Sequence, residues 1–166
     1  MHLPIPAVPA PAPAAPDLEA RLTDEMASVV AGARRRALRD GDRQIDTAHL
    51  LHSLLEADPS ARDAFDGGPQ LARVLGYLVQ RSIGYGLRWQ GSVEDSGAIP
   101  ALTQPGWSPA AVTAMETALS RAAARRDARV HGTDLLAGLL ADPECRAVEV
   151  LEHAGADARE VAARLA

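Results

Sequence analysis

The chain has 166 residues, a formal net charge of −5 and no lysine among its 17 basic residues. The charge argues against a general nucleic-acid surface, and a chain without lysine has no P-loop lysine, which excludes an ATPase of the ordinary Walker type. One cysteine, Cys145, rules out an internal disulfide. Only five residues are aromatic in a chain that is 47% hydrophobic, so its core is built of alanine, leucine and valine, which suit close-packed helices better than sheets.

Residues 1–17 carry six prolines and no basic stretch before an apolar run. They read as a disordered, polyproline-II-like tail, not as a signal peptide or membrane span. Repeat one (21–81) opens at Thr23, a helix cap, followed by Met26, Val29, Val30, Ala33, Ala37 and Leu38 at helical spacing until Gly41. Ile45 leads to a second cap at Asp46 and Thr47 and to Leu50, Leu51, Leu54 and Leu55 on one face of a short helix ending before Asp58-Pro59. A brief third helix from Ser60 to Phe65 stops at Gly67-Gly68, and Pro69 sits at the first position of a fourth carrying Leu71, Val74, Leu75 and Leu78. The stretch 82–107 breaks every period and reads as an extended connector, in which Trp89 and Trp107 are large rings suited to the core or to a ligand.

Repeat two (108–166) restarts at Ser108-Pro109 with Val112, Met115, Ala118, Leu119, Ala122 and Ala123. Val130, Gly132-Thr133 and the run Leu135, Leu136, Leu139, Leu140 follow, then a helix from Pro143 to Gly155 and a last one capped by Asp157 with Val161 and Leu165. A shift of 85 positions lays the first half on the second: Thr23 on Ser108, Ala33 on Ala118, Arg36 on Arg121, Ile45 on Val130, and each leucine of the first run on one of the second. The expectation is an all-α domain over 18–166, eight helices in two four-helix repeats related by a pseudo-twofold axis.

In order and spacing, residues 23–55 and 108–140 resemble the two repeats of the Clp N-terminal domain, the module that precedes the ATPase rings of the ClpA, ClpB and ClpC unfoldases. The hydroxyl start, the alanine-rich first helix, the Ile/Val step, the Thr-x-His-Leu-Leu stretch at Thr47 to Leu51 and the duplication carry the resemblance. It implies a cytoplasmic docking module without chemistry or cofactor of its own. Its partners would be a Clp-type AAA+ unfoldase, adaptors or client peptides, and the ring would act in trans. In the ClpC branch the repeats bind phosphoarginine through a cap hydroxyl and a glutamate in each copy. The hydroxyls correspond to Thr23 and Ser108, but the glutamate positions hold Ala48 and Thr133, and the second histidine position holds Asp134. A guanidinium group needs an anionic partner, so the neutral replacements weaken that ligand. Trp107 stands where the ClpC branch often has an aromatic residue lining a peptide or cyclic-peptide pocket, and a ring covering the repeat junction is the equal alternative. Sequestration of a cyclic peptide between Trp107 and Trp89 is the rival function.

Other candidates are weaker. Thr23, Thr47, Ser108 and Thr133 are expected as caps first and ligand groups second. His49 and His52, with Asp46 or His131, lack a third ligand at firm spacing, so no metal is expected; His49 reads as buried and satisfied, His52 as exposed. Cys145 and His153 have no nucleophile elbow near them. The clusters Arg34 to Arg36 and Arg125 to Arg126 read as solvated helix ends.

Overall fold

The computed structural model describes residues 15–83, 92–95 and 105–165, which form nine α-helices and no strand. These are α1 (Ala15–Ala20), α2 (Asp24–Arg39), α3 (Thr47–Ala57), α4 (Pro59–Arg62), α5 (Gly67–Ile83), α6 (Pro109–Ala124), α7 (Gly132–Leu140), α8 (Arg146–His153) and α9 (Ala158–Ala163). Eight match the expected helices. The ninth, α1, starts three residues inside the expected tail, with Pro16 in its first turn, where a missing N–H is harmless. The rest of that tail, residues 1–14, lies outside the described residues, as does Trp89. Some boundaries differ: α4 begins at Pro59 because the Asp58 carboxylate caps Ser60 N and Ala61 N, and α8 begins at Arg146 rather than Pro143.

Under the 85-residue shift α2 falls on α6 end for end. Thr23 Oγ1 accepts from Met26 N at 3.2 Å, and Ser108 Oγ accepts from Ala111 N at 3.1 Å. Both helices close on a left-handed residue, Gly41 at φ 72° and Arg126 at φ 58°, after which Asp42 N and Asp127 N return 2.9 Å bonds to Ala37 O and Ala122 O. Thr47 and Thr133, expected as caps, lie inside the first turns of α3 and α7; the cap positions belong to Asp46, expected together with Thr47, and to His131, two residues before Thr133.

Two isolated parallel bridges tie the halves reciprocally. Leu22 pairs with Val130, and Trp107, its equivalent, pairs with Ile45, the equivalent of Val130. The bonds match: Thr23 N to Val130 O (3.2 Å) and Val130 N to Arg21 O (2.8 Å) in one, Ser108 N to Ile45 O and Ile45 N to Gly106 O (both 2.8 Å) in the other. Each first helix therefore starts against the threshold of the other half's second helix.

The second helices form the centre. Residues Thr47 to Leu55 of α3 are all buried, and α7 buries Leu135, Leu136 and Leu139 completely. At equivalent crossings Ser53 Oγ donates to Val29 O (2.6 Å), while in the second half Gly138 lets the Ala114 carbonyl come so close that a Cβ would strike it. Because residues 47–55 of α3 are enclosed on every side, the polar residues among them are enclosed too. His52, expected on the surface, is 4% exposed.

Candidate functional site

The twofold arrangement creates two equivalent junctions, each where the cap of one half's first helix meets the start of the other half's second helix. At the first junction lies a cavity of about 590 Å³ walled by Thr23, Glu25, Asp58, Arg121, Arg125, Asp127, His131, Gly132 and Thr133, among others. Its wall carries both signs of charge. Arg125 forks onto Asp134, with Nη2 2.8 Å from Oδ2, and Arg121 Nε lies 3.7 Å from Asp134 Oδ1 while Arg121 Nη2 donates to Leu165 O at 3.2 Å. Asp134 is fully buried, and although burial opposes its charge, Arg125 and the His131 N–H hold its carboxyl below the ordinary value. Arg125, expected with Arg126 at a solvated helix end, thus lines the cavity and is held there by Asp134.

The second junction is filled from within the chain. Glu94, 6% exposed, reaches the starts of three helices: its carboxylate accepts from Thr47 N (2.8 Å) and the Thr47 hydroxyl in α3, from Ser108 Oγ (3.0 Å) at the cap of α6, and from Arg146 N (2.7 Å) in α8. Unsatisfied N–H groups and the helix dipole make each start attractive to an anion. Burial, with the nearby charge of Asp46, nevertheless raises the Glu94 pKa.

Beside it is a buried ionic cluster. Asp46 meets Arg81, Arg146 Nη1 (2.9 Å) and the His49 ring. His49 Nε2 is 2.8 Å from Asp42 Oδ2 and Nδ1 is 3.0 Å from Asp46 Oδ1; burial disfavours its cation, but the bonds to Asp42 and Asp46 outweigh this and raise its pKa to about 9. Asp40, Asp42 and His49 bring ligand-type atoms within 4.8 Å of one another, a grouping the sequence spacing did not reveal. The Arg81 guanidinium stands 3.8 Å from Asp42 and 3.9 Å from Asp40 and so supplies positive charge to this cluster. His52 titrates oppositely: burial and the Arg36 charge lower its pKa to about 4.

Of the six residues singled out from the sequence, the structure gathers Thr23 and Thr133 on the open cavity, with Asp134 beneath it. Ser108 lies at the other junction, against Glu94. Ala48 and Trp107 are core residues, 0% and 3% exposed, Trp107 sealing the junction through its pairing with Ile45. Cys145 and His153 are the cap and the last residue of one helix, α8, too far apart to act together. Burial raises the thiol to about 11, and His153 stacks on Tyr77 with centroids 5.4 Å apart. Glu94, Asp58, Arg121, Arg125 and Arg146 were missed as site residues.

As a whole, the chain aligns with solved helical structures over 87–89% of its length. It has the Clp N-terminal domain fold. The N-terminal domain of the chaperone ClpD from Arabidopsis thaliana aligns at TM-score 0.61 and 19% identity, covering 89% of this chain and 93% of that one. The Hsp104 N-terminal domain from Candida albicans aligns at 0.63 and 13%, covering 87% and 88%. A chain from structural investigations of a malarial protein secretion system aligns at 0.61 and 15%, covering 87% and 92%. No protein-family model matches the sequence, and no curated protein matches it. Among the described residues, no helix is long and apolar enough to cross a membrane.

Proposed function

We propose that this chain is a non-enzymatic docking module of the Clp type, which binds a peptide segment of a client, adaptor or unfoldase in the cytoplasm and so modulates Clp-dependent proteolysis in trans. The observation that carries this reading is the open cavity at the first junction, where Thr23, Thr133 and the two arginines face a space large enough for several side chains. The buried, high-pKa Cys145 thiol and its distance from His153 support binding over nucleophilic chemistry. Mixed charge on the wall suits an extended peptide with polar groups of both signs. Phosphoarginine is a poor fit: Ala48, at one glutamate position of the resemblance, is enclosed in the core, and Thr133, at the other, is neutral. The rival, sequestration of a cyclic peptide, loses its stacking wall with Trp107 buried at the repeat junction.

The test is a pull-down from native cytosol with the wild-type chain and Thr133→Tyr, which fills the cavity with neutral bulk. Clp ATPases or their clients are expected with wild type and not with the variant. Recovery of the same partners by both, or of none related to Clp proteolysis, overturns the reading. Thr133→Glu restores a carboxylate to the wall and is expected to raise affinity for a phosphoarginine peptide over the wild-type chain.

A further inference from the structure

We propose that residues 92–95 are an intramolecular ligand that shuts the second junction, and that the cradle beneath them is a binding site for an extended peptide bearing a carboxylate. This inference rests on the docking reading of the first cavity.

Symmetry supplies the first part of the argument. The 85-residue shift carries Thr23 to Ser108, Gly132 back to Thr47, and Ala61 to Arg146. The cradle is therefore the counterpart of the open cavity. In the first half the neighbouring acid is Asp58, which folds back on Ser60 N (2.9 Å) and Ala61 N (3.4 Å) and stays at the cavity edge. Its counterpart is Pro143, which offers no carboxylate, and the Cys145 cap makes no side-chain bond to α8. The first amides of α8 thus find their partners elsewhere in the chain, Arg146 N on Glu94 (2.7 Å) and Ala147 N on the Thr47 hydroxyl (3.0 Å).

The contacts holding 92–95 are the second part. Besides the four donors on the Glu94 carboxylate, Ala110 N donates to Glu94 O (3.3 Å), and Arg146 Nη2 donates to Ser92 O (3.4 Å) and Ser92 Oγ (2.8 Å). One carboxylate, two backbone carbonyls and a hydroxyl are read; the Val93 side chain is 61% exposed. Apart from that hydroxyl, these are features any extended acidic segment presents. A cradle that reads backbone and one acid binds such a segment from another chain as it binds its own.

The test uses the full chain and a labelled peptide copying residues 91–96, Gly-Ser-Val-Glu-Asp-Ser, followed by fluorescence anisotropy. A resident ligand lowers the apparent affinity for a competitor by the fraction of open sites, so Glu94→Ala is expected to bind the peptide at least about tenfold more tightly than wild type. The same peptide with Gln for Glu is expected to lose that gain. Equal binding to both chains, or none to a folded Glu94→Ala chain, overturns the proposal. Should Glu94→Ala not fold, Glu94→Gln keeps the shape: faster amide hydrogen exchange at Thr47 and Arg146, slowed again by the peptide, is expected, and unchanged exchange overturns it. Failure of the docking reading would appear separately, as no Clp partner recovered by a wild-type chain whose Glu94→Ala variant still binds the peptide.

Discussion

Asp46 and His49 form the most consequential side-chain pair in the molecule, because each holds the other's charge out of water. His49 is raised from 6.5 to about 9, so its contribution to stability is complete below about pH 6.5 and is lost as pH climbs through 9. Asp46 is held well below its ordinary 3.8: burial opposes the anion, but the bond to His49 and the charges of His49 and Arg81 win, so its share is present above that value and lost on acidification. The two limbs report one ion pair and do not add. Glu94, with a raised pKa, works the other way on the acid side. Urea unfolding followed by circular dichroism should show stability falling by up to about 3 kcal/mol between pH 6.5 and 9, and His49→Gln should flatten that limb while lowering stability at pH 6. Gly138→Ala is the steric counterpart. The new methyl would meet the Ala114 backbone carbonyl, which cannot rotate aside, and a loss of about 1–3 kcal/mol is expected in the same experiment. None of this was legible in the sequence. His49 could be read as buried, but Asp40, Asp42 and Arg81 reach it only through the turn after α2 and the distant end of α5.

The helices were the legible level, since hydroxyl caps, leucine spacing and glycine stops act within a few residues of one another. Thr23, Ser108, Asp58 and Asp157 bond the first-turn amides of their helices. Less visible was that the two second helices use the same pair of residue types in opposite order, Asp46 then His49 in α3, His131 then Asp134 in α7; matching position by position treats that exchange as a mismatch. The closing turn of α6 offers a prediction. Arg126 occupies a left-handed conformation that costs an L-residue about 1 kcal/mol and that its counterpart Gly41 adopts freely. Arg126→Gly is therefore expected to raise the thermal midpoint by a few degrees, and Gly41→Ala to lower it. Equal midpoints for wild type and Arg126→Gly would mean that the lost unfolded-state restriction cancels the relieved strain.

For the whole molecule, the duplication announced two halves but not how they lock. Leu22, Ile45, Trp107 and Val130 each find their main-chain partner in the other half, so a chain ending at residue 83 would leave the threshold of α3 unpaired and the faces of α3 toward α6, α7 and α8 bare. Such a half is expected to lack the slow amide exchange of the full chain and to bind a dye that reports exposed apolar surface, and mixing it with residues 105–166 should restore protection. The cradle escaped the sequence reading because Glu94 sits in a stretch with no period, and the residues it joins lie far along the chain in both directions.

That separation also orders events in time. Asp58 reaches its amides two and three positions away, so this cap can form while the chain is only half synthesised. Glu94 must wait for partners 47 residues behind it and 52 ahead. Contacts of that separation form late, so the two carboxylates differ in kinetic rank: the Asp58 cap is settled early, and the Glu94 latch engages only once both halves are in place.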